Sequence, residues 1–468
     1  MRRKKHARFL GGRARVTASG YPAARMNDES GAWVDEEFEV LDLGDPRRDR
    51  RAKGLLKRLA ARPTASIPGA CEDWAETIAA YRFLGNEEVE WTDMMQPHWE
   101  RTAGRARQFP VVLCIADTTE LNFNGQEIDG LGPLSYEAQR GMYLHPTYAV
   151  TPDREPLGVI DAWMWAREPL DANGQRVGIT ESVRWTESYE RVAEQAAMLP
   201  ETRLVYVADR EGDIAAMMER ANELGNPADW LIRSQHNRSL GEAGKLWDTV
   251  DASEALGEIG FILPGRAGQK AREVKQELRA QRVKLPGKTG PAVTCIVAQE
   301  IGAPAGVTPV VWRLLTNREA QDTDAVVELI DWYRARWEIE MFFNVLKNGC
   351  KVEALQLSHM DRVERALVFY MVVAWRIARL MRLGRTCPDL DASLFFDADE
   401  IRGAYLLAKK ARPKTPVTLN QMIRLIASLG GFLGRKCDGE PGAKTIWIGM
   451  QRTMDAAFMI LALRAEDS

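Results

Sequence analysis

The chain has 468 residues, 45% of them hydrophobic, enough for about three packed units at roughly 150 residues each, which excludes a disordered or fibrous protein. Sixty-three Lys and Arg stand against 66 Asp and Glu, and the net charge of −3 taken alone would set nucleic acid aside as a partner. The order of the charges reverses that reading: residues 1–25 carry eight bases and no acid, residues 28–45 eight acids and no base, and residues 47–62 eight bases against the lone Asp49.

The basic tail, 1–25, has Gly-Gly and further arginine where a secretory signal would have an apolar core, so it is no leader. It is either native or, if translation begins at Met26, an artefact of the assigned start. Asp45-Pro46 then opens an amphipathic helix over Arg47–Arg62, with Leu55, Leu56 and Leu59 on one side and bases on the other. Taken alone, that basic face reads as a solvated surface. A second helical stretch covers Cys71–Leu84, and residues 26–105 together read as a small helical bundle.

At Val111 the pattern changes. Val111–Ala116 is a continuous apolar run, as in a strand buried on both faces, and it stops at Asp117. Tyr143–Val150 and Gly158–Trp165 flank the turn signal Thr151-Pro152-Asp153 and predict a hairpin. Leu204–Ala208 repeats the first pattern and stops at Asp209, and Trp230-Leu231-Ile232 begins another strand. Residues 237–310, punctuated by Gly and Pro, read as an inserted β-region. Val311–Leu315 is a strand, Ala325–Leu346 one long helix without Gly or Pro, and Arg362–Leu383 a further helix; residues 386–468 are an α-rich tail.

The six cysteines are scattered without a C-x-x-C pair, which excludes a zinc ribbon, argues against a disulfide framework and fits a reducing cytoplasm. The longest apolar stretch, Ala366–Trp375, falls well short of the roughly 20 residues that a membrane span needs. Asp117 and Asp209, each ending an apolar strand, would place two carboxylates at the carboxyl edge of one sheet, where open α/β sheets build their sites. Strand-end aspartates also cap helices and make turns, so the pair gains meaning only with a third acid. Two hard divalent cations side by side call for such oxygen ligands. On the predicted long helix, Tyr333, Arg336, Glu340 and Lys347 at offsets of three, four and seven share one face. They are either an ordinary surface ion pair beside a packing tyrosine, or a metal carboxylate flanked by phosphate-holding groups.

These residues resemble the DDE transposases of bacterial insertion sequences, specifically the insertion-sequence-four group to which the Tn5 transposase belongs. That group carries a Y-(2)-R-(3)-E-(6)-K signature, matched at all four positions by Tyr333, Arg336, Glu340 and Lys347. Ile115–Thr119 resembles its first aspartate motif and Asp209–Ile214 its second. Leu43–Arg48 and Tyr81-Arg82-Phe83 resemble its amino-terminal DNA-binding region, and Gly430-Gly431-Phe432 its carboxy-terminal dimerisation region.

The resemblance implies an α/β protein with an RNase H-like catalytic core over 106–385, a β-strand insertion at about 237–310, a helical N-terminal DNA-binding domain over 26–105 and an α-helical C-terminal dimerisation region over 386–468. It implies that Asp117, Asp209 and Glu340 are catalytic and bind two Mg²⁺ ions, with Mn²⁺ able to substitute. Tyr333, Arg336, Lys347 and Arg233 would contact DNA phosphates, Trp312 would stack on an extruded base, and Arg47, Arg48 and Arg51 would grip the element ends. The expected protein is a cytoplasmic, nucleoid-associated homodimer that binds terminal inverted repeats, excises its element through hairpins and joins 3′ ends to target DNA. The alternative is a catalytically silent or domesticated copy acting as a DNA-binding repressor; loss of an acid would mark it, and all three acids are present. Glu338, two residues before Glu340, is expected to face away from the metal. His98, His145 and His236 are isolated and are expected to be structural. Gln235 departs from a lysine found in the family, which puts one phosphate contact in doubt.

Overall fold

The computed structural model describes residues 6–8, 32–174, 176, 178, 180–263, 271–436 and 438–466. The basic tail and the candidate start at Met26 lie outside them apart from His6–Arg8. The chain divides into two compact units, one containing His6–Arg8, Phe109–Asp117 and Ile179–Trp337, the other the described residues from Ala32 to Gln108, Thr118–Gly178 and Glu338 onward.

The first unit is organised on one mixed sheet. Val111–Ala116, Arg203–Ala208 and Asp229–Arg233 run parallel, and their interior positions are almost wholly buried, as their unbroken apolar sequence requires. Val311–Thr316 continues the sheet antiparallel to Asp229–Arg233, followed by Ala292–Glu300, Arg272–Lys284 and Gly257–Leu263. The last three are the strands expected of the β-insertion. Glu181–Met198 covers one face, where Tyr189 meets Tyr206 edge-on at 5.7 Å. Burial pushes the thiols of Cys114 and Cys295 up to about 12, so these cysteines act as small core hydrophobes.

The expectation of one unbroken helix over Ala325–Leu346 is corrected. Thr323–Arg334 and Trp337–Asn344 are separate α-helices, and Val345–Gly349 closes in a π-helical turn. Between the helices, the Ala335 N–H donates to Trp332 and that of Arg336 to Tyr333, tight i→i+3 bonds that end the first helix although both residues are good helix formers.

In the second unit, Pro46–Ala61 starts where the sequence signals it: Asp45 accepts the Arg47 N–H and proline occupies the first turn. Its leucines are buried, and the helix packs against Trp74–Leu84 and Met360–Thr386. Arg140–Val150 and Pro156–Trp165 form the expected hairpin, with Thr119–Asn122 also antiparallel to Arg140–Val150. Met360–Thr386 is buried on nearly every side from Arg365 to Trp375, because the unit surrounds it. A buried network joins helix to sheet: His98 Nδ1 lies 2.5 Å from Glu37, its Nε2 accepts the Val159 N–H at 3.0 Å, and Arg105 grips Glu37 through two bonds. That bond from Val159 fixes the tautomer, with the proton on Nδ1. In the C-terminal helices, a Cβ on Gly430 would lie 1.9 Å from the Thr445 carbonyl, and one on Gly449 would lie 1.8 Å from that of Ile426. Leu419–Leu429 and Ala443–Glu466 therefore meet backbone to backbone, which explains the first glycine of the Gly430-Gly431 pair.

Candidate active site

The parallel strands fix the two aspartates. Ala116 pairs in register with Ala208, and Asp117 and Asp209 are the next residues of neighbouring strands, so the carboxylates emerge side by side at one sheet edge. Ala208 in turn pairs with Ile232, which puts Arg233 next in the row. Each aspartate is half-buried, and Asp209 also caps the turn after it by accepting the Glu211 N–H at 2.8 Å.

The helix that ends at Arg334 brings two signature residues to this edge. Arg336 Nη1 lies 2.8 Å from Asp117 Oδ2. Tyr333 is buried, which pushes its phenol up; the nearby Arg336 and Arg233 charges oppose that shift and Asp209 adds to it. Asp117, Asp209, Arg233, Tyr333 and Arg336 therefore form one electrostatic cluster within the first unit. Trp337 is 57% exposed, with the Arg336 guanidinium 5.3 Å from its ring centre, a surface aromatic that the sequence reading passed over.

Trp312 lies on the strand antiparallel to Arg233 and is half-buried instead of sealed in the core. Its ring stacks on Phe261 at 5.4 Å and 15°. Asp213 was also missed in the sequence. Its buried carboxylate accepts the N–H groups of Gln235 and His236 at 2.6 and 2.9 Å and pairs with Arg238 at 2.6 Å, clamping the loop that follows Arg233. Its signal was its place four residues after Asp209.

In the second unit, Glu340 is half-buried on Trp337–Asn344. Glu338 on the same helix pairs with Arg382 at 2.6 Å. Lys347 sits in the π-helical turn, 3.8 Å from Glu353. His145 is buried with its Nδ1 2.8 Å from the Thr118 hydroxyl, a core contact. On the basic helix, Arg47, Arg50 and Arg51 are exposed and line an open cleft of about 400 Å³ with Arg58, Cys71 and Glu76. Arg48, beside them, pairs with Glu88 and donates to the Leu43 carbonyl at 3.2 Å, with a quarter of its side chain still exposed.

Among the described residues no three His, Cys, Asp or Glu side chains are gathered closely enough to hold a metal ion. The paired strand-end aspartates nevertheless fit one in chemistry, because their donors are carboxylate oxygens, the hard ligands that a divalent cation takes. Arg336 supplies positive charge to one of them. Among the described residues, no helix is long and apolar enough to cross a membrane.

Three protein families match the chain in succession: a transposase DNA-binding domain over residues 30–89, a transposase DDE domain over 193–375 and the dimerisation domain of the Tn5 transposase over 372–465. Among solved structures, the piggyBac transposase in a synaptic complex with hairpin DNA aligns with 76% of this chain and 71% of its own, at 11% identity and a TM-score of 0.38, too low to inform the site. DDE domains are metal-dependent nucleases in general, and the flanking domains bind DNA and form homodimers. With a helical DNA-binding domain, a mixed-sheet catalytic core and a helical dimerisation domain in that order, the chain belongs to the Tn5-like DDE transposases and is a DNA transposase.

Proposed function

We propose that Asp117, Asp209 and Glu340 are the catalytic acids of a cut-and-paste transposition reaction and together hold two Mg²⁺ ions, which Mn²⁺ can replace. The observation that carries this reading is the register that sets Asp117 beside Asp209 with Arg336, Arg233 and Tyr333 gathered at the same edge. When bound, the ions supply an activated attacking oxygen and neutralise charge on the leaving one, an in-line displacement with no covalent protein intermediate. The chain's own groups do the rest. Arg336, Arg233, Tyr333 and Lys347 hold the phosphates flanking the scissile bond, and Trp312 offers a ring face to a base extruded where the strand bends into a hairpin. Arg47 and Arg51, with Arg48 in a lesser part, bind the terminal inverted repeats in the nucleoid. Two copies pair the ends in a synaptic complex before joining them to target DNA.

Intact acids favour this over a silent repressor, and the test separates the two. Asp117→Ala, Asp209→Ala and Glu340→Ala should each abolish nicking of end DNA while leaving its binding nearly unchanged. Full cleavage by any one variant overturns the triad. A native chain that binds the ends but never nicks them, with Mg²⁺ or Mn²⁺, favours the repressor.

A further inference from the structure

Glu353 belongs to none of the motifs above, yet it connects three of the elements around them. It sits on the short turn Val352–Ala354, just past the π-helical segment Val345–Gly349 that carries Lys347. Its Oε1 accepts the backbone N–H of Asn122 at 2.9 Å, and the same oxygen lies 3.8 Å from Lys347 Nζ. The Glu353 carbonyl accepts from Gln126 Nε2 at 2.7 Å, so the turn is fastened by side chain and backbone to the strand Thr119–Asn122 and the residues after it. Lys351 lies between, in the left-handed region at φ 52°, which makes the reversal that returns the chain to Lys347.

A lysine on a four-carbon stem has no preferred place of its own, and holding it costs rotamer entropy. A π-helical turn adds a residue to the repeat and re-aims the side chains it carries, a device common at functional sites. At this turn the re-aimed side chain is Lys347, with a carboxylate within ion-pair range that is itself immobilised by a backbone N–H. Both side chains remain partly open to solvent, 26% for the lysine and 34% for the glutamate, so the ammonium keeps donors for a phosphate.

We infer that Glu353 is a positioning residue for Lys347: it holds the signature lysine where it meets the DNA phosphate, and does not itself touch DNA. This rests on the proposed phosphate-holding role of Lys347. Glu353→Gln is the discriminating variant, since the amide oxygen still accepts from Asn122 while the charge that draws the ammonium is gone.

The experiment is a double-mutant cycle of Glu353→Gln and Lys347→Ala, read as single-turnover nicking of a duplex bearing the element's terminal repeat, with end-binding affinity and melting temperature measured in parallel. Glu353→Gln should slow nicking roughly two- to tenfold, the rate equivalent of loosening one partly exposed ion pair, with melting unchanged. In the Lys347→Ala background the same change should have no further effect. An equal loss in both backgrounds, or a lowered melting temperature that accounts for the loss, makes Glu353 merely structural and overturns the inference. If Lys347→Ala nicks poorly but Glu353→Gln nicks normally, the positioning role alone fails. If Lys347→Ala nicks at full rate, the phosphate role of Lys347 fails, and the inference with it.

Discussion

Replacing Arg336 by alanine removes the guanidinium that faces Asp117 across 2.8 Å, with the two side chains only 11% and 14% exposed. Asp117 and Asp209 follow register-paired residues on adjacent strands, so the variant leaves two neighbouring carboxylates with less opposing charge. Breaking a fully buried pair costs about 3–5 kcal/mol. Some solvent reaches this one and Asp117 has further partners, so about 2 kcal/mol is the reasonable expectation, discounted from that figure. For a cooperative unit of this size that corresponds to a melting temperature roughly 4–8 °C lower in EDTA.

Divalent ions should then separate the variant from the native chain. A cation at the carboxylates restores the missing charge in Arg336→Ala, whereas in the native protein it must share Asp117 with the arginine. Saturating Ca²⁺ should therefore raise the melting temperature more in the variant than in the native chain; occupancy at 100 times the dissociation constant is worth about 2.7 kcal/mol. Nicking should remain impaired even when stability is recovered, if Arg336 holds a phosphate as proposed above. Differential scanning fluorimetry in EDTA and in Ca²⁺ reads both effects. Identical melting in EDTA, or an equal gain from Ca²⁺ in the two proteins, would refute the idea that Arg336 supplies charge that the metal otherwise provides.

Three further outcomes follow. Arg47→Ala with Arg51→Ala should weaken binding to end DNA and flatten its salt dependence, since fewer counterions are released per complex; replacing Arg48, already engaged by Glu88, should lower stability more than it alters the salt slope. Trp312→Ala should lose hairpin product while keeping the first nick, because base stacking worth roughly 1–3 kcal/mol is needed only where the strand bends; equal loss of nick and hairpin would return Trp312 to a packing role. Burial holds the His98 ring neutral, below its ordinary value of 6.5, so the unfolded chain takes up a proton there before the folded one does, and stability present above pH 6.5 should decline as the pH falls through it. Burial alone would raise the Glu37 carboxyl, but Arg105 and His98 outweigh it and hold the group below its ordinary 4.5, so a second loss should begin under that pH. His98→Gln should remove the upper limb of the melting profile, and an unchanged slope between pH 7 and 5 would exclude His98 as its source.

Much of this site could be read from sequence because its chemistry sits at places where local pattern is strong. Val111–Ala116 and Leu204–Ala208 announce buried parallel strands, and a strand that stops at aspartate points to a sheet edge. The basic helix was equally plain, since Asp45-Pro46 and the leucine spacing fix its start and its buried side. What sequence withheld depends on partners far along the chain. Arg48 looks like its neighbours until Glu88, forty residues on, takes it up. Glu353 had no motif to mark it, because its meaning comes from Asn122, 231 residues away. Nor does any local pattern announce that Trp312 stacks on Phe261, 51 residues earlier in the chain.

The signature itself makes the sharper point. Its spacing was read as one face of a continuous helix, and on an ideal helix offsets of three, four and seven would stack the four side chains. The backbone does not provide that face: the step from Tyr333 to Arg336 crosses the turn that ends the first helix, and the step from Glu340 to Lys347 runs into π-helical backbone. Periodicity could not reveal either break, because Ala335, Arg336 and Val345–Lys347 contain no glycine or proline and propensity favours a regular helix at most of these positions. The breaks pay for particular contacts, Arg336 with Asp117 and Lys347 with Glu353, whose partners lie on other elements. The signature spacing is therefore not delivered by one regular helical face: Arg336 and Lys347 meet acids, Asp117 and Glu353, where the backbone departs from the ideal helix.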